Sequence, residues 1–305
     1  MMSQANAAPL PQHSPDFVPP EYSEVSDSVP EYSLVIESQT RHSFAQNLQS
    51  QARELWHGRE LLMFLVWRDL KVRYVQTAMG ASWVILQPLM TMALFSVFGR
   101  WARVPNDGVP YPLFHYSGAL LWIFFSNALG SCSNSFTGNA QLITKVYFPR
   151  LVLPLSSVLG RVVDFGVACV LLAVMMLIYR VPLTWNFLMM PVILLLTILL
   201  ALGGGLYLAS VNVRYRDVSL LMPTFLQILM FASPLIYSSN MIPEHLRAYY
   251  MLNPLVGLFQ NYRACLFGQP FNWVSLSVSA FIIFSLFLYA LMVFGKQEEY
   301  FADVI

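Results

Sequence analysis

Long stretches without a charged side chain constrain this chain more than any other feature. Residues 108–144 contain no Asp, Glu, Lys or Arg, and charged residues make up only 11% of the sequence. Soluble domains average about 25%, so this chain has too few charges to cover a water-facing surface. A helix needs about 20 apolar residues to cross the ~30 Å hydrocarbon core of a bilayer. The sequence therefore predicts an all-α integral membrane protein.

Six stretches are long and apolar enough to be predicted as transmembrane helices. They cover residues 81–100, 114–137, 155–179, 187–210, 218–238 and 273–295. Pro223 and Pro234 interrupt the fifth stretch. An even number of spans leaves both termini on the same side. We therefore predict a six-span transmembrane domain over 81–296, followed by a short tail at 297–305.

The distribution of Lys and Arg predicts which side the termini occupy. With a cytoplasmic N-terminus, ten basic residues lie in cytoplasmic segments near the spans and five lie in outer segments. Cytoplasmic loops of membrane proteins are enriched in Lys and Arg. This count predicts cytoplasmic N- and C-termini, although Arg100 and Arg103 on the outer side weaken the signal locally.

The N-terminal segment, residues 1–45, differs in composition from the rest. Its first 40 positions carry six acidic residues and no Lys or Arg, and six prolines occur by position 30. Such a segment cannot bury enough apolar surface to fold, and it lacks the features of a secretory signal. We predict a disordered cytoplasmic tail. Because the whole chain carries +1, the remainder carries +7, which suits anionic lipid and not nucleic acid.

Residues 46–80 are predicted to form an amphipathic helix in the headgroup layer at the cytoplasmic interface. Asp69 and Arg73 are spaced as an i,i+4 ion pair on one face. After Gly80 no charge appears until Arg100, so the chain passes there from water into the bilayer. One predicted apolar stripe follows an i, i+4, i+7, i+11 spacing: Met63, Trp67, Leu70 and Tyr74.

The segment 240–272 is apolar, yet Pro243, Pro254 and Gly268 break it. By the predicted topology it lies outside, between the fifth and sixth spans. Two short helices that enter the outer leaflet and return would fit, with a surface loop as the alternative. Irregular backbone at that depth must be buried in protein or line a wet cavity.

Motifs for nucleotide binding and catalysis are not found in the sequence. A P-loop reads G-x-x-x-x-G-K-[ST], whereas the Gly-Lys pair at 295–296 has Ala290 and Gln297 at the other two required positions. The three cysteines show no metal or redox spacing. We therefore predict no catalytic residue and no metal site. The glycine run 203–205 lies inside a span, where small residues permit close helix packing.

Arg161 and Asp164 form a charged pair within or beside the third predicted span. A lone charge at the bilayer centre costs about 2.5–3.5 kcal/mol on insertion scales, and the i,i+3 spacing lets the two pair on one helix face. The pair is either part of a polar conduit or moving helix contact, or a self-neutralising pair near the interface. The sequence leaves both interpretations open.

The predicted cytoplasmic turn between the second and third spans is more apolar than a free loop should be. We expect its face to be buried against the N-terminal helix or against another protein. A short helix bounded by Pro149 would present Leu142, Ile143, Lys145, Tyr147 and Phe148.

Five stretches in order carry a resemblance that covers about residues 50–300. They are 67–74 (WRDLKVRY) with Gly80, Trp83 and Gln87-Pro88; Gly118 with Trp122 and 124–126 (FFS); 139–154; 212–217 (NVRYRD); and 253–255 (NPL) with Tyr262-Arg263. Together they resemble the permease subunits of type-2 ABC polysaccharide exporters, which serve O-antigen, capsule and teichoic-acid export. The acidic N-terminal tail is not part of this pattern.

The resemblance implies a half-transporter in the bacterial inner membrane. Two copies would form a pore in contact with membrane lipids, and two copies of a separate ABC ATPase would bind ATP and Mg, so this chain itself would need no cofactor. The cargo would be a glycan on an undecaprenyl-type lipid. The re-entrant helices would cover 241–268. The interface helix would use Trp67, Arg68, Asp69, Lys71 and Arg73. The ATPase-coupling turn would use Asn139, Gln141, Leu142, Ile143, Lys145, Tyr147, Phe148 and Arg150.

Aromatic side chains are candidates for the glycan path, because sugar C–H faces lie flat on rings. Aromatic residues also cluster at membrane interfaces for other reasons. Three further functions compete with glycan export: a type-2 exporter of a drug or lipid, a membrane enzyme acting on lipid-linked sugars, and a secondary transporter. The path candidates are Trp83, Trp122, Phe125, Tyr237, Tyr249, Tyr250 and Tyr262.

Overall fold

The computed structural model describes residues 53, 55–75, 80, 82–101, 108–146, 148–237 and 239–297, without the side chains of Arg100 and Asn240. The predictions for the 1–45 tail, for Tyr147 and for most of the C-terminal tail fall outside these ranges. Within them the regular elements are all helical, in agreement with the predicted fold class.

The helices follow one another with short connections. The first half of the chain forms α1 (Arg59–Val75), α2 (Ser82–Trp101), α3 (Tyr111–Ser133), α4 (Ala140–Lys145) and α5 (Val152–Ile178). The second half forms α6 (Met190–Arg214), α7 (Asp217–Phe231), α8 (Glu244–Tyr250), α9 (Pro254–Phe267) and α10 (Trp273–Gln297). Short 3-10 turns cover Thr137–Asn139, Trp185–Met189 and Ser239–Met241.

Four of the predicted spans correspond to helices long and apolar enough to cross a membrane. These segments are Ser82–Gly99, Val152–Ile178, Trp185–Arg214 and Trp273–Gln297. Between α1 and the first of them, Gly80 has a φ of 53°, a left-handed conformation that glycine adopts without strain. The predicted change from charged to apolar helix therefore coincides with a turn in the backbone.

The other two predicted spans differ from expectation. The stretch predicted at 114–137 forms α3, which is long enough to span but, by length and composition, is not among the four helices apolar enough to cross a membrane. The stretch predicted at 218–238 is helical only to Phe231, because Pro234 disfavours helix in the residue before it and removes a backbone donor. The 15 residues of α7 extend roughly 22 Å, less than the ~30 Å hydrocarbon thickness.

Helix α3 lies at the centre of the bundle. It packs against α2, α5, α6 and α9, and α6 packs in turn against α10. Seventeen of its 23 residues are buried, including the polar His115 and Ser117. A helix covered by other helices need not be as apolar as one that faces lipid, which explains why polar residues are tolerated in α3.

Hydrogen bonds at the C-terminal end of α3 connect three helices. The Asn212 amide of α6 donates to the Ser133 carbonyl and to Asn134 Oδ1, both at 3.1 Å. The Ser219 hydroxyl of α7 donates to Asn134 Oδ1 at 2.7 Å and to Asn212 Oδ1 at 3.0 Å. We call this end of the bundle, where the turn 134–150 joins α3 to α5, the turn end.

Close packing of α6 depends on its glycines. A Cβ atom on Gly203 would lie 2.9 Å from the backbone Cα of Phe287 in α10. One on Gly205 would lie 2.5 Å from the Cys132 Sγ of α3. Both distances are shorter than real Cβ contacts, so only glycine permits these helix separations. The prediction that the 203–205 run allows close packing is confirmed.

Substituting Gly203→Ala is therefore expected to destabilise the protein, because the new Cβ would push the backbone of α10 away from α6. Overpacking of this kind costs about 1–3 kcal/mol. Gly166→Ala on α5 is the matched control, since a Cβ there meets no atom within 4 Å. Thermal unfolding in detergent should show a lower midpoint for Gly203→Ala and an unchanged or higher midpoint for Gly166→Ala. Equal midpoints would contradict this account of the packing.

Candidate functional site

Helix α1 packs against α5. Leu65 is buried with 1% of its surface exposed, whereas Met63 and Trp67 of the predicted apolar stripe are 68% and 66% exposed. The bundle does not cover these two residues, and the location of the stripe in the head-group layer stays a prediction. The apolar side chains on the other side of α1 remain available to lipid or to another protein.

Arg68 connects α1 to the turn end. Its guanidinium donates to Asp69 Oδ1 at 2.8 Å and to Asn139 Oδ1 at 2.8 Å. The Asn139 amide donates in turn to the Ser135 carbonyl at 2.8 Å. The spacing of Asp69 and Arg73 had predicted that these two would pair. Instead, Asp69 pairs with its neighbour Arg68. The interface helix and the turn are joined by a side-chain contact 71 positions apart in sequence.

The turn after α3 presents a small polar and apolar surface. In α4 the side chains of Gln141 and Lys145 are exposed, and Leu142 and Ile143 are half-buried. The helix ends at Lys145 because Val146 adopts an extended conformation with φ −134° and ψ 130°. Phe148, which was expected to be buried against the N-terminal helix or another protein, is buried within the chain itself at 8% exposure.

Asp164 on α5 is the centre of a charged cluster that joins α1 to α5. Arg73 of α1 donates to Asp164 Oδ2, and the Tyr74 hydroxyl donates to Asp164 Oδ1 at 2.7 Å. Arg161 approaches the same carboxylate, with Nη1 3.6 Å from Oδ2. It also donates from Nε and Nη2 to the Ser131 hydroxyl of α3 at 3.0 and 2.8 Å. The predicted Arg161–Asp164 pair is therefore part of a larger cluster across three helices.

Tyr74 acts in this cluster as a neutral hydrogen-bond donor. Burial, followed by the hydrogen bond to Asp164, raises the pKa of Tyr74 above its usual value of 10.0. Sequence reasoning did not assign Tyr74 or Ser131 to the cluster. The signal that could have found them is the charge inside a span, since an intramembrane carboxylate needs partners from neighbouring helices.

A cavity of about 270 Å³ opens beside this cluster, between α1, α2, α3 and α5. We call it the cluster cavity. Polar side chains line one part of it and apolar side chains the other. The polar and amphipathic lining comprises Arg73, Tyr74, Trp83, Gln87, Asn127, Arg161 and Asp164.

At the opposite end of α3, Arg263 holds α9 against the loop after α7. It is 5% exposed and donates to the carbonyl oxygens of Pro234 and Leu235, both at 2.8 Å. Its guanidinium lies 3.6 Å from the centre of the Phe114 ring, a cation–π contact. These contacts bring the loop after α7 to the start of α3 and close this end of the bundle.

Asn253 attaches the start of α9 to the same loop. Its side chain accepts from the Leu255 amide at 3.0 Å and caps the helix. It also donates to the Ala232 carbonyl and to the Ser233 hydroxyl, both at 3.1 Å. Most of α9 is buried, whereas α8 before it is largely exposed.

The aromatic residues predicted for a glycan path do not form one surface. Trp122, Phe125 and Tyr262 are buried at 7%, 3% and 1% exposure. Tyr262 therefore has no surface for a substrate, although Phe125 borders an apolar cavity of about 510 Å³ between α3, α6, α7, α9 and α10. Trp83 and Tyr249 are exposed at 45% and 74%. Tyr250 donates to the Tyr237 hydroxyl at 3.2 Å, so these two lie together beside α8.

The fold and its turn end define a multi-pass helical membrane protein with a cluster of polar contacts where helix α1 meets the bundle. The family model for ABC-2 type transporters matches residues 60–267. This match covers more than half of the chain, from α1 to the end of α9. The chain belongs to the ABC-2 type transporter family.

Relatives are similar over nearly their whole length. The chain is 32% identical to an O-antigen export system permease protein of Myxococcus xanthus, RfbA, over 83% of this chain and 98% of the relative. It is 28% identical to an RfbA protein of Klebsiella pneumoniae, over 81% and 95%. It is 25% identical to the polysialic acid transport protein KpsM of Escherichia coli, over 76% and 91%.

Replacing Arg73→Gln is expected to weaken the attachment of α1 to α5, because Asp164 loses its ion pair across the two helices. Hydrogen bonds to charged groups contribute about 1.5–3 kcal/mol, and partial exposure of both side chains screens part of this. Lys71→Gln, on the exposed side of α1, is the matched control. Chemical unfolding in detergent should show a loss for Arg73→Gln only. A double-mutant cycle with Asp164→Asn should show strong non-additivity; additive losses would contradict the pairing.

Proposed function

We propose that this chain is the membrane-spanning subunit of an ATP-driven exporter of a lipid-linked polysaccharide. It works as a homodimer with two copies of a separate ABC ATPase in the bacterial inner membrane, with both termini in the cytoplasm. The observation that carries the proposal is an exposed short helix at the turn end, tied by Arg68 and Asn139 to an amphipathic helix, in a chain of the ABC-2 type transporter family.

The ATPase contact is assigned to α4. Its exposed side chains include Gln141 and Lys145, and Leu142 and Ile143 are only half-buried. A partner seated on α4 would bury these apolar groups and give Lys145 an acidic counterpart. The chain contains no P-loop of its own, so the energy for uphill transport comes from that partner.

Side-chain contacts provide a mechanical route from α4 into the bundle. Asn139, at the start of α4, accepts from Arg68 of α1. Also in α1, five residues after Arg68, Arg73 pairs with Asp164 of α5. A second route runs from Asn134 through Asn212 to Ser219 at the start of α7. Displacement of the turn by the ATPase would therefore move α1, α5 and α7 together.

The dimer surface is assigned to α2 and α7. Within the described chain, the buried positions of α2 are Pro88 and Gly99, and that of α7 is Met222. Both helices otherwise present large apolar side chains. A second copy of the chain would cover part of these faces, and lipid would cover the rest. Two such helices from each copy would border the export path.

The outer gate is assigned to α8 and α9. α9 is buried and anchored through Asn253 and Arg263, whereas α8 is exposed. This arrangement supports a pair of re-entrant helices over 241–268 that narrows the exit. Exposed Tyr249 and the joined Tyr237 and Tyr250 are the aromatic groups placed to meet a glycan there.

The substrate class is taken from the similarity to permeases of O-antigen and polysialic acid export. An exporter of drugs or lipids would share the architecture. A membrane enzyme would need convergent carboxylates or a metal site, and the described residues contain no group of three or more His, Cys, Asp and Glu that could hold a metal.

Charge reversal by Lys145→Glu is expected to weaken ATPase binding without affecting the fold, because Lys145 is exposed. Loss of one charge contact at an interface corresponds to about a tenfold fall in affinity, or about 1.4 kcal/mol. Arg247→Glu on α8, exposed at the opposite end, is the matched control. Recovery of the ATPase with the tagged permease should fall for Lys145→Glu only. If Lys145→Glu left both the recovery of the ATPase and the coupled ATP hydrolysis unchanged, the assignment of α4 to the ATPase interface would be wrong.

Deletion of the gene is expected to leave lipid-linked glycan inside the cell while surface glycan is lost. Fractionation followed by glycan staining measures both pools, and expression of the intact chain should restore the surface pool. Normal surface glycan together with increased drug sensitivity would instead favour the drug exporter. Turnover of a lipid-linked sugar by the purified chain without ATP or partner would favour the enzyme.

A further inference from the structure

The cluster cavity contains more positive than negative charge. Its charged lining consists of Arg73, Arg161 and Asp164, so one carboxylate faces two guanidinium groups. Arg161 uses Nε and Nη2 on Ser131, and its Nη1 lies 3.6 Å from Asp164. That distance is an ion-pair contact but is too long for a good hydrogen bond, so Asp164 does not use both Nη1 protons of Arg161 and one of them can meet an anion in the cavity.

Two amides beside these cations have no side-chain partner among the described residues. Gln87 of α2 and Asn127 of α3 line the cavity, and their side chains make no hydrogen bond to another described residue. Neither amide is sealed from solvent. Buried or half-buried polar groups in proteins are normally hydrogen-bonded to protein, water or ligand. Gln87 is exposed and Asn127 is half-buried, and both line the same cavity as Arg161, so an anion there is within reach of their side chains as well.

The remaining wall of the cavity is apolar. Its residues are Leu120, Ile123 and Phe124 of α3 and Phe165 and Ala168 of α5, and the Phe124 and Phe165 rings are in contact, with their centroids 5.2 Å apart. A free inorganic anion has no apolar surface that such a wall could bury. A ligand with an anionic head and a hydrocarbon chain satisfies both parts, because the chain removes apolar surface from water while the head accepts hydrogen bonds.

The position of the cavity matches a head-group depth. It lies where the charged helix α1 gives way to the apolar helix α2, and Trp83 of the first turn of α2 is on its lining, 45% exposed. Trp is enriched at the level of lipid head groups. The volume of about 270 Å³ is below the ~300–1,000 Å³ typical of ligand pockets. It suits a head group with the first carbons of its chain and is too small for a glycan.

We propose that the cluster cavity binds the phosphate head group of a membrane lipid, with the start of its hydrocarbon chain along the α3–α5 wall. Arg161 supplies the charge-assisted hydrogen bonds, and Asn127 and Gln87 supply neutral ones. A lipid bound there bridges α2 and α3 to the α1–α5 contact. The site does not depend on which cargo the transporter moves.

Binding is tested with purified protein in neutral detergent, by native mass spectrometry and by ligand-induced thermal stabilisation. The probes are undecaprenyl phosphate, undecaprenol, phosphatidylglycerol, phosphatidylcholine and inorganic phosphate. Undecaprenyl phosphate should bind at least about tenfold more tightly than undecaprenol, since charge-assisted hydrogen bonds are the strong ones. Equal binding of these two, or equal binding of inorganic phosphate and undecaprenyl phosphate, would overturn the proposal.

Two variants test whether the phosphate lipid binds in this cavity. Arg161→Gln should weaken phosphate-lipid binding about tenfold or more, and Asn127→Leu, which keeps every charge in the cluster, should weaken it several-fold. Arg180→Gln, an exposed residue after α5, is the matched control. Unchanged affinity in correctly folded Asn127→Leu and Arg161→Gln would show that phosphate lipids bind elsewhere and would overturn the assignment.

The same titrations distinguish two sources of the lipid. Competition by phosphatidylglycerol at similar concentration supports occupation by bulk anionic lipid. Selective binding of undecaprenyl phosphate supports occupation by a polyprenyl carrier. Neither result depends on glycan export, so loss of lipid binding and failure of the proposed function are separate outcomes.

Discussion

The contact between Asp164 and the cations around it is the interaction on which the attachment of α1 to the bundle depends. A carboxylate inside a helical bundle is stable only when its partners repay its desolvation, and here those partners come from α1 and from α5 itself. This requirement helps to hold α1 on the bundle, where Leu65 is also buried, although Met63 and Trp67 are exposed. It also orders the side chains around the cluster cavity. Electrostatic pairing and apolar burial together therefore explain why α1 lies where it does.

Helix α3 provides the second constraint, since α2, α5, α6 and α9 all pack against it. Its two ends carry separate polar networks: Asn134 with Asn212 and Ser219 at one end, and Arg263 with Phe114 at the other. In the low-dielectric surroundings of a bilayer such bonds are costly to leave unmade, so each network holds its helices in one arrangement. The glycines of α6 then allow α3 and α10 to approach closely on both sides. The result is a rigid centre around which α2 and α7 present open apolar faces.

Much of the helical framework could be predicted because uncharged length is a local property. The spans at 82–99, 152–178, 185–214 and 273–297 follow from it directly, as does the break at Gly80. The glycine run 203–205 was also interpretable, since small residues inside a span have few other uses. The predicted end of a helix was wrong where a single residue determined it, as with Pro234 after α7. Which side of α1 packs against α5 was not predicted, because spacing identifies apolar stripes but does not identify the neighbour that covers them.

The sequence by itself determined the class of protein, the family and the approximate course of the chain, because hydrophobic length and ordered motifs are encoded position by position. Only the tertiary structure decided which charges meet. Arg73 has Asp69 four residues away, yet it pairs with Asp164, 91 positions distant. The sequence left open whether the N-terminal helix or another protein would cover Phe148, and the packed chain itself covers it. Both outcomes depend on which helices are adjacent, and adjacency is a property of the packed bundle that no local pattern contains.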